Sequence, residues 1–245
     1  MFTVMFHSLL IGAALFVPIP LLDDRLASFF WKRMVSDLAS DNKRQLTPDQ
    51  LLALSYPSRW ALSDGCLFFA RRLFKELLQE ILFILEWRKA INLASEAYYS
   101  GYLLNELFAH EGFDPAKSAQ YADALQKAKQ GLNMKLVQGV FRGTFRSGKG
   151  VLSSVVKWLS SITVGYVKSS WTRRKNRKAG VASDEQMENF FQMHRSKFQE
   201  LLKDLITHLQ SGIGNLPKEH FDTLRNRLFE EIQKLETSTN EMSPR

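Results

Sequence analysis

From Ser183 onward the apolar residues keep the period of an α-helix. Met187, Phe190, Phe191, His194, Phe198, Leu201, Leu202, Leu205 and Leu209 recur on one stripe, at the spacing that puts side chains on a single helical face. Period-2 alternation, the mark of a half-buried strand, is almost absent from the chain. Such stripes are buried helix against helix, so the predicted fold is all-α, a multi-helix body with a C-terminal αα-hairpin. Ser183 and Gln186 have capping-box spacing, Ser211-Gly212-Ile213-Gly214-Asn215 reads as a turn, and Pro217 opens a partner helix. That helix turns Phe221, Leu224, Leu228, Ile232 and Leu235 inward. The hairpin therefore spans 183–236, with Phe198 and Leu202 set opposite Leu224 and Leu228. The polar residues 237–245 read as a disordered tail.

The helical body is predicted over 23–170. Asp23 or Asp24 caps a helix toward Asp41, with Leu26, Phe29, Phe30, Met34 and Leu38 on one side. Thr47-Pro48-Asp49-Gln50 combines a capping box with proline at the first helical position, so a short helix follows to Leu54. Trp60 reads as packed back on the core. Asp64 opens the strongest helical stretch, reaching about His110 with a break expected near Gly101. Unbroken, it would run about 70 Å, long for a compact domain. Asp114-Pro115 caps the next helix, which is interrupted at Gly131 before Leu136–Phe145.

Met1–Leu22 contains no Lys, Arg, Asp or Glu. Its length reaches the roughly 20 residues of a membrane span, but Pro18 and Pro20 limit the helix-competent part to about Met1–Phe16. A cleaved signal would carry a basic n-region, and none is present. Residues 1–22 read first as a buried or interfacial helix, second as a membrane anchor and last as a signal peptide.

Charge is unevenly spread. The net charge is +8, yet Ala124–Ser183 holds 13 basic residues and no acidic one, leaving 20 basic against 25 acidic residues elsewhere. A mildly acidic body thus surrounds a basic middle, which points to a polyanionic surface. The bland alternative is a solvated face docked on the acidic body of the same chain.

Catalytic patterns fail on inspection. Gly143–Lys149 matches the start of a phosphate-binding loop, but Gly150 stands where Ser or Thr would hold magnesium, and no strand precedes it. Ser154-Val155-Val156-Lys157 matches a serine–lysine pattern whose companion motifs are missing or misordered. Glu106 with His110, and His194 alone, read as packed or surface residues rather than metal ligands. Glu76 and Glu80 sit among Arg72 and Lys75 and read as surface ion pairs. The single cysteine, Cys66, excludes an internal disulfide and reads as a small buried residue. Neither cofactor nor metal is expected, no small-molecule substrate is identified, and an enzyme is the less favoured class.

The basic middle is the better candidate. Val151–Trp171 carries Leu152, Val155, Val156, Leu159, Ile162, Tyr166 and Val167 with only Lys157 and Lys168 charged, and Arg173, Arg174, Lys175, Arg177 and Lys178 follow in the linker 171–182. Apolar residues beside clustered cations suit an anionic membrane surface, with Trp158 and Trp171 as interfacial anchors. Arg142, Arg146, Lys149, Lys157 and Lys168 complete the expected anion-binding set. The protein is therefore expected to be cytoplasmic and peripheral to a membrane, docking through this segment on anionic lipid or an acidic protein partner. Nucleic acid is the rival partner, because Phe141-Arg142 and Phe145-Arg146 interleave aromatics with cations.

Overall fold

The computed structural model describes residues 1–17, 22–55, 79–160 and 182–241. These are helical almost throughout, with no strand among them. In order they form α1 (Phe2–Ala14), α2 (Leu22–Asp41), α3 (Pro48–Ser55), α4 (Gln79–Ala109), a 3-10 turn (Pro115–Lys117), α5 (Ser118–Lys129), α6 (Lys135–Ser147), α7 (149–160), α8 (Ala182–Gly214) and α9 (Lys218–Glu241). Trp60, Cys66, Arg72, Lys75, Glu76, Lys168, Trp171, Arg173, Arg174, Lys175, Arg177 and Lys178 lie outside the described residues.

The uncharged first helix sits at the centre. Val4, Phe6, Leu9, Leu10, Ile11, Ala13 and Ala14 are all buried, because α1 packs against α2, α4 and α8. With no charged residue on any side, α1 loses nothing by being enclosed all round. Two of its polar side chains find partners locally or across the core: Ser8 Oγ donates to the Val4 carbonyl at 2.7 Å, and His7 reaches Asp37 through Nε2. None of the described helices is long and apolar enough to cross a membrane.

The caps read from the sequence form as expected. The Thr47 N–H donates to Gln50 Oε1 at 2.9 Å, and the Gln50 N–H faces Thr47 Oγ1 at 3.4 Å, a reciprocal capping box. Asp114 Oδ1 accepts from the Ala116 N–H at 2.9 Å. Gly131, with φ +72°, ends the α5 segment in the left-handed conformation that glycine adopts without strain.

Four boundaries or packings differ from expectation. The helix does not break at Gly101; α4 runs through it to Ala109. A Cβ at Gly101 would lie 2.8 Å from Val4 Cγ1 and 3.0 Å from Met34 Sδ, so the glycine lets α1 and α2 close on α4. Likewise Gly212 is not in the turn. It lies in α8 where a Cβ would meet Val140 Cγ1 at 2.4 Å, and the connection to α9 is shortened to 215–217. The polar tail does not fray at Glu236, since α9 continues to Glu241 and the Thr237 hydroxyl bonds back to Gln233 and Lys234 carbonyls.

The fourth concerns the C-terminal pair. α8 and α9 are joined by a tight turn, but their stripes do not bury each other. α8 packs on α1 and α6, while α9 packs on α5 and α4. Phe198 stands against Trp158 and Phe191, and Phe221 stands against Tyr98, Tyr99 and Tyr102. The stripes are as apolar as their spacing demands, and larger aromatic surfaces on the body take them.

Candidate anionic-surface interface

α6 divides its residues sharply. Val137, Phe141, Thr144 and Phe145 are buried, whereas Lys135, Arg142 and Arg146 are exposed. At about 100° per residue the three cations lie within about 40° of one another, opposite the buried face. Gly148 breaks the regular helix with φ −97° and ψ 21°, and α7 then presents Lys149 and Lys157 to solvent while burying Leu152, Val155 and Leu159. The solvent-facing cations of this α6–α7 ridge are thus Lys135, Arg142, Arg146, Lys149 and Lys157, and none makes an ion pair among the described residues. Lys149 Nζ lies 5.9 Å from the centroid of the Trp87 ring, which packs on Phe16 and Phe145.

The back of the ridge is seated on α8. Gly148 meets Leu205 so closely that a Cβ would overlap Leu205 Cδ2, Gly212 receives Val140, and Thr144 Oγ1 is 3.2 Å from His208 Nδ1. Two other cations of the acid-free segment do not contribute. Lys127 pairs with Asp123 at 2.8 Å. Lys129 is half-buried between α4 and α5 and donates to Ser100 Oγ at 2.8 Å, and desolvation lowers its pKa against the opposing pull of Glu96.

The aromatics of the segment face inward. Phe141 and Phe145 are fully buried, so the aromatic–cation interleaving seen in the sequence separates onto opposite sides of α6. Trp158 is half-buried, with ring contacts to Phe190, His194 and Phe198 and Lys197 Nζ 4.9 Å from its ring centroid.

A second polar constellation was less legible. His7 Nε2 lies 2.9 Å from Asp37 Oδ2; Asp37 also holds Arg33 at 3.0 Å and Arg195 at 2.8 Å, and Arg33 pairs with Glu188. The five residues tie α1, α2 and α8 together. Burial lowers the His7 pKa, a pull that the Asp37 hydrogen bond only partly opposes, so the imidazole is neutral. Burial pushes Asp37 up, but its bond to His7 and the nearby charges outweigh that and hold the carboxylate below its usual range. With Nε2–H donated to Asp37, His7 Nδ1 is left buried without a hydrogen-bond partner. The signal available in the sequence was the lone His7 in an uncharged segment; the other members of the cluster lie 26 and more residues away and share no motif with it.

The chemical motifs resolve into ordinary helix. Gly143–Lys149 spans the end of α6 rather than a loop after a strand. Ser154 Oγ donates to the Gly150 carbonyl at 3.1 Å. His110 Nδ1 accepts from the Gly112 N–H, and the His110 ring packs on Phe229. His194 stacks between Trp158 and Phe190. No group of three metal-ligating side chains occurs among the described residues. No family model, curated protein or solved structure matches the chain.

Proposed function

We propose that this protein is a non-enzymatic helical module that docks on an anionic membrane surface through the α6–α7 ridge. The observation that carries this reading is the set of five solvent-facing cations, Lys135, Arg142, Arg146, Lys149 and Lys157, on a segment free of acidic residues. Cations near an anionic bilayer each contribute about 1 kcal/mol, and here no internal carboxylate competes for them. A ridge on two successive helices suits a flat, extended partner. Arg173, Arg174, Lys175, Arg177 and Lys178 would add attraction beyond the ridge. Burial of Phe141 and Phe145 removes the exposed rings on which a single-stranded nucleic acid would stack, which favours lipid over that rival.

The test is co-sedimentation of the full chain with vesicles of phosphatidylcholine alone and with added phosphatidylserine. Binding is expected only to the anionic vesicles, and it should fade as salt shortens the screening length from about 10 Å at 0.1 M to about 3 Å at 1 M. The triple variant R142Q/R146Q/K149Q should weaken it by roughly a hundredfold. Equal binding to both vesicle types defeats the electrostatic reading, and tight binding to single-stranded nucleic acid without vesicle affinity passes the ridge to the rival partner.

A further inference from the structure

The cluster around His7 is built so that one protonation opposes it. In its neutral form the imidazole donates through Nε2 to Asp37, and Nδ1 rests among the rings of Phe6 and Phe191 without a partner. A second proton would have to sit on Nδ1, as a buried N–H with no acceptor and a buried charge. The groups facing it are Asp37 and Arg33 from α2 and Arg195 and Glu188 from α8; among the described side chains, α4, which also packs on α1, places no ionisable group in action on His7. A third cation would therefore join two guanidinium groups that already share two carboxylates.

The element with least to lose is the first half of α8. Between Met187 and Phe198 it buries Met187, Phe191 and Phe198 but exposes Asn189, Gln192, Met193, Ser196 and Lys197. Its polar attachments to α2 are Glu188 and Arg195, both in the cluster. By contrast, α1 and α2 bury long apolar faces against α4. The same half of α8 carries Phe190, His194 and Phe198, which cover Trp158 beside the cationic ridge.

We infer that the His7–Asp37–Arg33–Arg195–Glu188 cluster is an acid-released latch, which frees the first half of α8 and uncovers Trp158 and its aromatic neighbours next to the ridge. The membrane consequence rests on the docking function proposed above: electrostatic attachment at neutral pH gains apolar insertion in acid. The latch itself does not depend on it.

Two readouts keep these apart. Hydrogen exchange of the full chain, corrected for intrinsic rates, is followed from about pH 7.5 to about pH 5, the range in which an imidazole titrates. Protection of residues 187–198 is expected to fall by about tenfold per pH unit once opening is linked to uptake of one proton, with α4 and α9 still protected. R195Q removes both a tether of α8 and a cation that opposes protonation of His7, so it should lower protection of 187–198 already at pH 7.5 and flatten its fall in acid, and H7Q should remove the pH dependence. If H7Q does not fold, R195Q still decides: unchanged protection at pH 7.5 with an undiminished fall in acid overturns the latch. Equal protection at both ends of the range, or joint loss in α8, α4 and α9, also overturns it. In the second readout, Trp fluorescence is recorded with phosphatidylserine vesicles and should shift to the blue in acid. An α8 that opens without any vesicle binding at either pH leaves the latch standing and removes the docking function.

Discussion

α1 and α6 are both thirteen residues long, and they play opposite parts. α1 is apolar on all sides and is enclosed by α2, α4 and α8. α6 carries its apolar residues on one side and its cations on the other, so it is buried by half. Their glycines differ in the same way. A Cβ at Gly12 would lie 2.9 Å from Ala94 Cβ and 3.1 Å from the Ala90 carbonyl oxygen, whereas a Cβ at Gly143 would meet nothing within 4 Å. Length and helical propensity do not separate a core helix from a surface helix. The distribution of charge around the axis does.

The comparison breaks most visibly in the core. Phe6→Ala should cost about 3–5 kcal/mol in chemical denaturation, as expected for a fully buried ring whose site cannot collapse. Gly12→Ala should destabilise by about 1–3 kcal/mol, since Ala94 and the α4 backbone cannot both give way. A loss below about half a kilocalorie in either variant would show that α1 is held loosely.

Acid sharpens the same contrast. The unfolded His7 titrates near 6.5 and the folded one lower, so above that pH both states are neutral and its contribution is intact. As pH falls from about 6.5 toward the folded value, the unfolded chain binds a proton that the native state resists, and stability declines. Asp37 acts in a lower window: its folded pKa lies below 3.8, so its contribution is lost as pH falls from 3.8 toward that value. H7Q should flatten the upper part of a stability-against-pH curve and shrink the lower part, because Asp37 loses the His7 bond that helps hold its pKa down.

On the ridge the effects shrink and change sign. Gly143→Ala should stabilise by about 0.5–1 kcal/mol, the reverse of Gly12→Ala, because the new methyl group meets open space in a helix. R142Q/R146Q should leave the denaturation midpoint within about half a kilocalorie of the parent while weakening vesicle binding. A large stability loss there would mean the cations hold the fold together.

What local chemistry controls was legible in the sequence. The capping box at Thr47 and Gln50, the cap at Asp114, the break at Gly131 and the stripe from Met187 to Leu209 all depend on residues within a turn or two. The errors came where distant segments decide. Gly101 and Gly212 looked like interruptions because a glycine weakens an isolated helix, yet each is the place where Val4 or Val140 comes close. The stripes of α8 and α9 are neighbours along the chain, but Phe6 and Phe30 pack on Phe191 of the one and Tyr98 and Tyr99 on Phe221 of the other. At the candidate site, the acid-free segment identified the cationic ridge, but not that Phe141 and Phe145 turn away from it or that Lys127 and Lys129 are spent internally. The His7 cluster draws its members from three helices, so no spacing announced it.

The central place of α1 has a consequence for synthesis. A ribosome releases α1 before α2, α4 and α8, the segments that enclose it. At about 5–20 residues per second, roughly 5–20 s pass before the end of α4 follows, and the first half of α8 comes later still. For most of that interval a helix with no charged residue has α2 alone of its native neighbours to cover it. The nascent chain must carry its stickiest surface in the open for longer than most of its other elements, so its yield should depend on chaperones that bind short apolar segments and on the speed at which the middle of the chain is translated.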